Sequence, residues 1–290
     1  MPTEADTCRR YVVPGLYAAG WTDEQIREQL TFTPGRIVVA GGRVRRGRRK
    51  RVDYLLSFRR DIPLAVVEAK AEYRLPGDGL QQAKDYAEIL GLDFAFSTNG
   101  PGIVEHDYTT GQERELENYP TPEELWARHC RARGIDPEDP VLLAPYFHEA
   151  GRTPRYYQDI SIHRATEAIR AGKLRVLLTL ATGTGKTVVA FQVAWKLWST
   201  GWNRTGDYRK PRILYLADRT VLVDDPKDKV FAPFAEARWR MTSSVLGSIA
   251  ITHPTSLISS SLTSATAGAQ GPIARGARSS STSVLQFNSV

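Results

Sequence analysis

Three charged residues raise a chemical question before any element is assigned. Glu68 and Lys70 close the apolar run "PLAVV", two positions apart, and Asp53 opens the preceding stretch "RVDYLLSF". Residues of a strand alternate faces, so Glu68 and Lys70 share a side and Ala69 points opposite. With "RVDYLLSF" as its antiparallel neighbour, Asp53 falls on that same side near Glu68. Two carboxylates about 4 Å apart repel by roughly 4 kcal/mol at an effective dielectric of 20. The pair therefore calls for a proton or a cation, and oxygen ligands of this kind suit Mg²⁺. Such an ion would hold a water and a phosphodiester together. Lys70 would orient or deprotonate that water, or neutralise the developing charge. Taken alone, an E-x-K at a strand end equally describes an exposed ion pair. Gln82 and Tyr86, four apart on a following helix, tip the reading toward chemistry.

A second constellation is "ATGTGKT", Ala181 to Thr187, between the apolar run "RVLLTL" and the helical "VVAFQVAWKLW". Gly183 and Gly185, alternating with Thr182 and Thr184, let backbone N–H groups turn inward around phosphate oxygens, and a helix N-terminus adds positive potential. Lys186 can reach the β- and γ-phosphates, and the Thr187 hydroxyl can join a Mg²⁺ shell. The strict pattern wants glycine where Leu180 stands. The form with Ala181 resembles that of superfamily 2 helicases and translocases. "PRYYQ" upstream resembles their adenine-reading motif, with Gln158 as the base-reading residue and Arg155 and Tyr157 nearby. Alone, a helical Gln is a surface residue. "ILYLADRTVLVDD" downstream resembles their next motif, with Asp218 and Arg219 at a loop that touches nucleic acid; a plain strand end with a capping Asp is the other reading. Hydrolysis of ATP needs a strand-end Asp-Glu pair and an Arg from a second motor lobe. "VLVDD" at 221–225 fits a helix better than that pair, and no second lobe follows. Nucleotide binding with little or no turnover is the expectation.

The elements that must position these residues follow from periodicity. Residues 1–30 read as helix, with Tyr11, Val12, Leu16, Ile26 and Leu30 apolar, broken near residues 14–15 and 20–21. "GRIVVAGGRV", "RVDYLLSF" and "PLAVVEAKA" read as strands. "LQQAKDYAEILG" is an amphipathic helix with Gly91 as its stop. "DFAFSTNG" and "GIVEHDY" form a hairpin. After a Pro-rich charged stretch, "YYQDISIHRATEAIRAG" is helical, and strands then alternate with helices, the signature of a parallel sheet.

The chain has 290 residues and a formal charge of +7, with 41% apolar and 24% charged residues. It reads as an ordinary soluble, cytoplasmic protein: its apolar runs are too short to cross a bilayer, and "MPTEADTCRR" is no signal peptide. Cys8 and Cys130 form no CxxC pair, and the histidines show no metal-site spacing. The basic excess concentrates in "RVRRGRRKR", seven basic residues in the nine positions Arg43 to Arg51. A solvated hairpin tip with Gly47 at its turn is one reading. Contact of Arg43, Arg45, Arg46, Arg48, Arg49 and Lys50 with DNA phosphates is the other, favoured because the run leads into the Asp53 strand. Past Glu236 no acidic residue occurs, and Ser and Thr dominate. Such a segment lacks the apolar content to order itself. It is a Ser-rich linker or the product of a shifted reading frame.

Asp53, then Glu68-Ala69-Lys70, then Gln82 and Tyr86 resembles the PD-(D/E)xK nucleases in their glutamine–tyrosine branch. With "TEADTCRR" before it and a superfamily 2 motor after it, residues 3–240 resemble the restriction (HsdR-type) subunit of type I restriction-modification enzymes. The resemblance implies an α/β architecture: a PD-(D/E)xK endonuclease domain over 1–130, a linker over 131–154, and a truncated RecA-like P-loop lobe over 155–241. A disordered or out-of-frame tail occupies 242–290. By position it makes Asp53 and Glu68 metal ligands, with Glu4 near them, and Lys70 the catalytic lysine. Gln82 and Tyr86 assist, and Arg219 touches DNA. It implies Mg²⁺ and ATP as cofactors, and as partners double-stranded DNA with separate methylase and specificity subunits. Two alternatives stay open: a helicase-type ATP- and DNA-binding protein without nuclease activity, and a non-functional truncated product.

Overall fold

The computed structural model describes residues 3–33, 37–40, 43–46, 49–147, 154–181, 183–203, 210–217, 228–242 and 247–251. The chain divides into two compact units, Met1–Pro137 and Glu138–Val290.

The first unit opens with α1 (Glu4–Thr7), where Thr3 and Asp6 cap each other reciprocally. A π turn, Cys8–Val12, continues it into α2 (Val13–Ala18). The helical reading stops there. Gly20 takes φ 89°, and Ile26–Phe32 is a strand, β1, antiparallel to β4. Apolar spacing alone is compatible with helix at Ile26 and Leu30; the ladder offered by β4 overrides it. β2 (Ile37–Ala40) pairs with β3 (Arg43–Arg46), Ala40 opposite Arg43. The basic run therefore begins on strand β3; Gly47, expected at the turn of a hairpin tip, lies with Arg48 outside the described residues.

β4 (Lys50–Arg59) and β5 (Ile62–Ala69) form an antiparallel pair. A single 3₁₀ turn, Pro76–Gly79, leads into α3 (Leu80–Leu90), ended by Gly91 at φ 67°. β6 (Phe94–Thr98) returns parallel to β5, and β7 (Ile103–Asp107) and β8 (Gln112–Leu116) add antiparallel neighbours before α4 (Pro122–Arg133). The sheet order is β1-β4-β5-β6-β7-β8. Every residue of β5 is buried, as a central strand covered on both faces requires. Leu64, Leu56, Phe94 and Phe96 fill the centre. Glu68 is the one charged residue inside that strand.

In the second unit α5 (Tyr156–Arg170) packs Ile162, Ala165 and Ile169 against Val189, Val193 and Leu197 of α6 (Lys186–Ser199), joined by Val141 and Tyr146. β9 (Ile213–Ala217), β10 (Arg238–Thr242) and β11 (Gly247–Ile251) form an antiparallel sheet in the order β10-β11-β9. Two expectations are corrected here. The parallel sheet is replaced, among the described residues, by this antiparallel one. "RVLLTL" is no strand either: Leu177 is 73% exposed, while Val176, Leu178 and Leu180 lie against the α5–α6 core. A parallel-sheet centre needs ladder partners on both sides, and β9 takes β11 as its partner instead. The second correction is β11 itself, which lies in the Ser- and Thr-rich stretch expected to lack structure. Its "GSIAI" has two ladder partners to satisfy its backbone, a tertiary contribution that composition does not register. Among the described residues no helix is long and apolar enough to cross a membrane.

Candidate active site

The β4–β5 register pairs Leu55 with Val66 and Tyr54 with Val67. One step further along it, Asp53 stands opposite Glu68, and directly opposed residues share a face of the sheet. The Asp53 Oδ2 accepts the Ala69 N–H at 2.9 Å. Glu68 is only 4% exposed. Its Oε1 accepts the Gln82 side-chain amide at 2.5 Å and lies 3.5 Å from Lys70 Nζ. Its Oε2 is buried with no hydrogen-bond partner.

Gln82 ties the group together. Its Oε1 accepts from Lys70 Nζ at 3.1 Å, and its Nε2 donates to the Tyr86 hydroxyl at 3.1 Å as well as to Glu68. Residues four apart on a helix stack on one face, so α3 delivers both side chains to the sheet end. The Tyr86 ring meets the edge of Phe32, centroids 5.2 Å apart, and Lys50 Nζ lies 5.0 Å from its centroid. Glu4, expected among the metal ligands, sits at the rim with its Oε1 3.9 Å from Lys70 Nζ.

Burial first, and then the Asp53 charge, push the Glu68 carboxyl up to about 8, with Lys70 pulling only partly back. Asp53 is also raised, chiefly by burial, against the opposing Ala69 N–H. Burial likewise raises Tyr86. A buried oxygen without a donor, beside a second carboxylate, needs a proton or a cation. The all-oxygen donor set of Asp53 and Glu68 fits a hard divalent ion.

Two contributors were invisible in the sequence. Ser97 stands beside Glu68 in the parallel β5–β6 register, accepts the Gly79 N–H at 3.1 Å and donates to the Pro76 carbonyl at 2.6 Å. A Cβ on Gly79 would come within 2.8 Å of Ser97 Oγ and 3.1 Å of Lys70 Cε. The start of α3 can thus approach the acids only with glycine at 79. "LPGDG" signalled a loop and nothing more. Cys8 bonds Tyr54 and its thiol is raised to about 11 by burial, and Cys130 is fully buried.

At the second constellation, Gly183 and Gly185 take φ 78° and 83°. A Cβ on Gly185 would meet Gln158 Nε2 at 2.4 Å, so the bare glycine admits that side chain. Gln158 donates to the Thr184 carbonyl and accepts the Arg155 N–H, both at 2.9 Å. It props the loop from below. Lys186 Nζ donates to the Leu180 carbonyl at 2.9 Å, and the Thr184 hydroxyl donates to Ala181 at 2.6 Å. Thr187 lies in the first turn of α6. Thr182, Asp218 and Arg219 lie outside the described residues, as do the side chains of Arg43, Arg45 and Arg46; Arg49 is exposed.

The chain is 39% identical over 249 residues to the type I restriction enzyme EcoAI endonuclease subunit of Escherichia coli, an alignment covering 83% of this chain and 30% of that one. A solved fragment described as an HsdR subunit of a type I restriction enzyme from Vibrio vulnificus YJ016 is 57% identical. It matches with a TM-score of 0.67 over 81% of this chain and 43% of its own. The chain is homologous to type I restriction endonuclease subunits. The EcoKI endonuclease subunit of Escherichia coli strain K12 is a more distant homologue, 31% identical over 146 residues, covering 45% of this chain and 11% of that subunit. Residues 152–252 match the family described as type III restriction enzyme, res subunit. That match takes in β11, beyond the point where the motor-like pattern was expected to end. The chain spans less than a third of the EcoAI subunit's length.

Proposed function

We propose that the first unit is a PD-(D/E)xK endonuclease domain that cleaves DNA phosphodiesters, joined to part of a RecA-like, ATP-binding motor lobe. The observation that carries the reading is Glu68 Oε2, buried and without a partner, on the same sheet face as Asp53 and beside Lys70. Asp53 and Glu68 would hold Mg²⁺, which supplies charge neutralisation at the phosphate and a more acidic water. Gln82 fixes the Lys70 ammonium at the mouth of the site, where it neutralises charge on the attacked phosphate or orients the attacking water by donating to it. Because the Tyr86 oxygen accepts from Gln82, its own proton is free to meet a phosphate oxygen of the cleaved strand.

The loop from Thr182 to Thr187, with Gln158 beneath it, supports ATP binding. Lys186 would exchange the Leu180 carbonyl for β- and γ-phosphate oxygens, and Thr187 would join the Mg²⁺ of the nucleotide. In the intact cytoplasmic enzyme this lobe would take part in ATP-dependent translocation, alongside methylase and specificity subunits that select the sequence. The basic residues between 43 and 50, and Arg219, would bind DNA phosphates irrespective of sequence.

The test is nicking of supercoiled plasmid with Mg²⁺, read beside Mn²⁺ binding by calorimetry. Asp53→Asn and Lys70→Ala should each lower cleavage by about a thousandfold or more, as loss of a principal transition-state stabiliser does. Only Asp53→Asn should weaken Mn²⁺ binding. Variants that cut like wild type would remove the cleavage from this site, and a wild type that does not nick would leave a DNA- and ATP-binding protein without nuclease activity.

A further inference from the structure

Immediately after Lys70 the chain exposes apolar surface on a fixed backbone. Tyr73 is 64% exposed and Leu75 71%, with the Arg74 side chain 61% exposed between them. The backbone beneath is held at several points. The Arg74 N–H donates to the Ala71 carbonyl at 2.8 Å, and Asn99 Nδ2 donates to the Arg74 carbonyl at 2.7 Å. The β6–β7 turn closes on it so tightly that a Cβ on Gly102 would come 2.4 Å from the Pro76 ring. The Tyr11 hydroxyl donates to Glu72 at 3.0 Å, which brings the π turn alongside with Arg9 and Arg10 exposed. The Arg10 guanidinium lies 5.1 Å from the Tyr11 ring centre.

Two large apolar side chains held in water by a rigid loop do nothing for the core, and such surface commonly marks a binding site. Its surroundings specify the partner. Arg74 stays largely in solvent although Asp78 Oδ2 lies 3.9 Å from it, Arg10 lies against the Tyr11 ring that engages Glu72, and the loop starts at the lysine of the candidate active site.

We propose that residues 73–75 are a DNA-contacting wedge. Tyr73 and Leu75 pack against sugar and base edges in the minor groove beside the scissile phosphate, and Arg9, Arg10 and Arg74 take flanking phosphates. The position beside the scissile phosphate rests on the nuclease reading; the contact with DNA does not. A rigid wedge needs little ordering on binding, so its contribution to affinity is not spent on fixing the loop.

The experiment uses the full chain with a duplex carrying 2-aminopurine, read by anisotropy and base fluorescence in Ca²⁺, so that binding is measured apart from cleavage. Tyr73→Ala with Leu75→Ala should weaken binding about tenfold, remove the 2-aminopurine response and leave the salt slope unchanged. Arg74→Ala should lower that slope by roughly 0.9. Tyr73→Phe should retain wild-type affinity. Should the double variant misfold by circular dichroism, Leu75→Ser, at a side chain already in solvent, carries the same expectation of weaker binding. A folded variant with wild-type affinity and wild-type fluorescence would overturn the proposal and assign the patch to a protein partner. So would a wild-type chain that gives no 2-aminopurine response. If Asp53→Asn cleaves like wild type while the wedge variants lose DNA, the nuclease reading fails and the wedge stands.

Discussion

The first unit buries carboxylates in two places and treats them in opposite ways. At the β7–α4 edge Glu105 has no exposed surface, yet Arg128 meets its Oε1 at 2.8 Å and Arg114 its Oε2 at 2.5 Å. Arg128 also reaches Asp107 at 2.6 Å. Asp93 accepts from Arg133 and lies 2.7 Å from His129 Nδ1. Burial alone would raise Asp93, but the bonds from His129 and Arg133 outweigh it and hold the carboxyl at about 2. Across the sheet Glu68 is buried too, but the Gln82 amide and a lysine at 3.5 Å both serve its Oε1 and leave Oε2 bare. Its carboxyl moves up, not down. Similar burial with unequal donor supply separates an acid satisfied by the fold from one left with a bare oxygen. The β7–α4 edge is satisfied within the chain, whereas the Asp53–Glu68 pair keeps one oxygen without a donor.

That contrast can be broken most sharply at Arg128. Arg128→Ala strands Glu105 and Asp107 without their shared guanidinium, and the loss of one partner from a buried ionic network costs about 3–5 kcal/mol. Urea unfolding should show it, with Mn²⁺ affinity unchanged. A loss below about 1 kcal/mol would mean the edge is not the self-sufficient network described here. Glu68→Gln, in metal-free protein near neutral pH, should be neutral or stabilising.

The next largest effect is pH dependence. Glu68 has a folded-state pKa above its unfolded value, so the folded protein holds a proton that the unfolded chain has released. Its contribution is fully present below about 4.5 and is lost as pH rises through about 8, by roughly 5 kcal/mol in the absence of metal. Mn²⁺ should restore the loss, and its apparent affinity should climb about tenfold per pH unit up to about 8 and then level off. Asp93, lowered in the fold, runs the other way: its stabilisation is present above the unfolded value and lost as pH falls through about 2. Melting temperatures from pH 2 to 9, for wild type and Glu68→Gln, separate the two. A flat profile for wild type would erase the distinction.

The smallest effect probes how the α3 entrance is fitted. Gly79→Ala should cost about 1–2 kcal/mol through overpacking against Ser97 and Lys70. It should slow cleavage about tenfold by displacing the lysine, while Mn²⁺ affinity stays within about twofold. A full-rate variant would show that Lys70 tolerates the shift.

The site was more legible than the fold around it. Asp53, Glu68, Lys70, Gln82 and Tyr86 were readable because each sits on an element whose period is strong: alternation in β4 and β5, a four-residue step on α3. Strand β1 was misread because Ile26 and Leu30 suit either period until β4 offers its ladder. The antiparallel sheet of the second unit, and β11 within a Ser-rich stretch, escaped for the same reason. Ladder partners distant in sequence leave no local mark. Gly79 and Ser97 were hidden because their role is to leave room and hold a turn, which no residue type announces.

By itself the sequence determined which chemistry is available: three charges at strand ends, an amide and a phenol one helical turn apart, a glycine loop ahead of a lysine. Periodicity fixes which side chains share a face, because backbone geometry repeats every two or 3.6 residues. Only the tertiary structure decided which acids are neutralised and which stay bare. That depends on whether a guanidinium from a remote helix arrives, as Arg128 does at Glu105, or stays away, as at Glu68. Desolvation and the supply of donors are set by packing, and packing brings together residues that local pattern cannot connect.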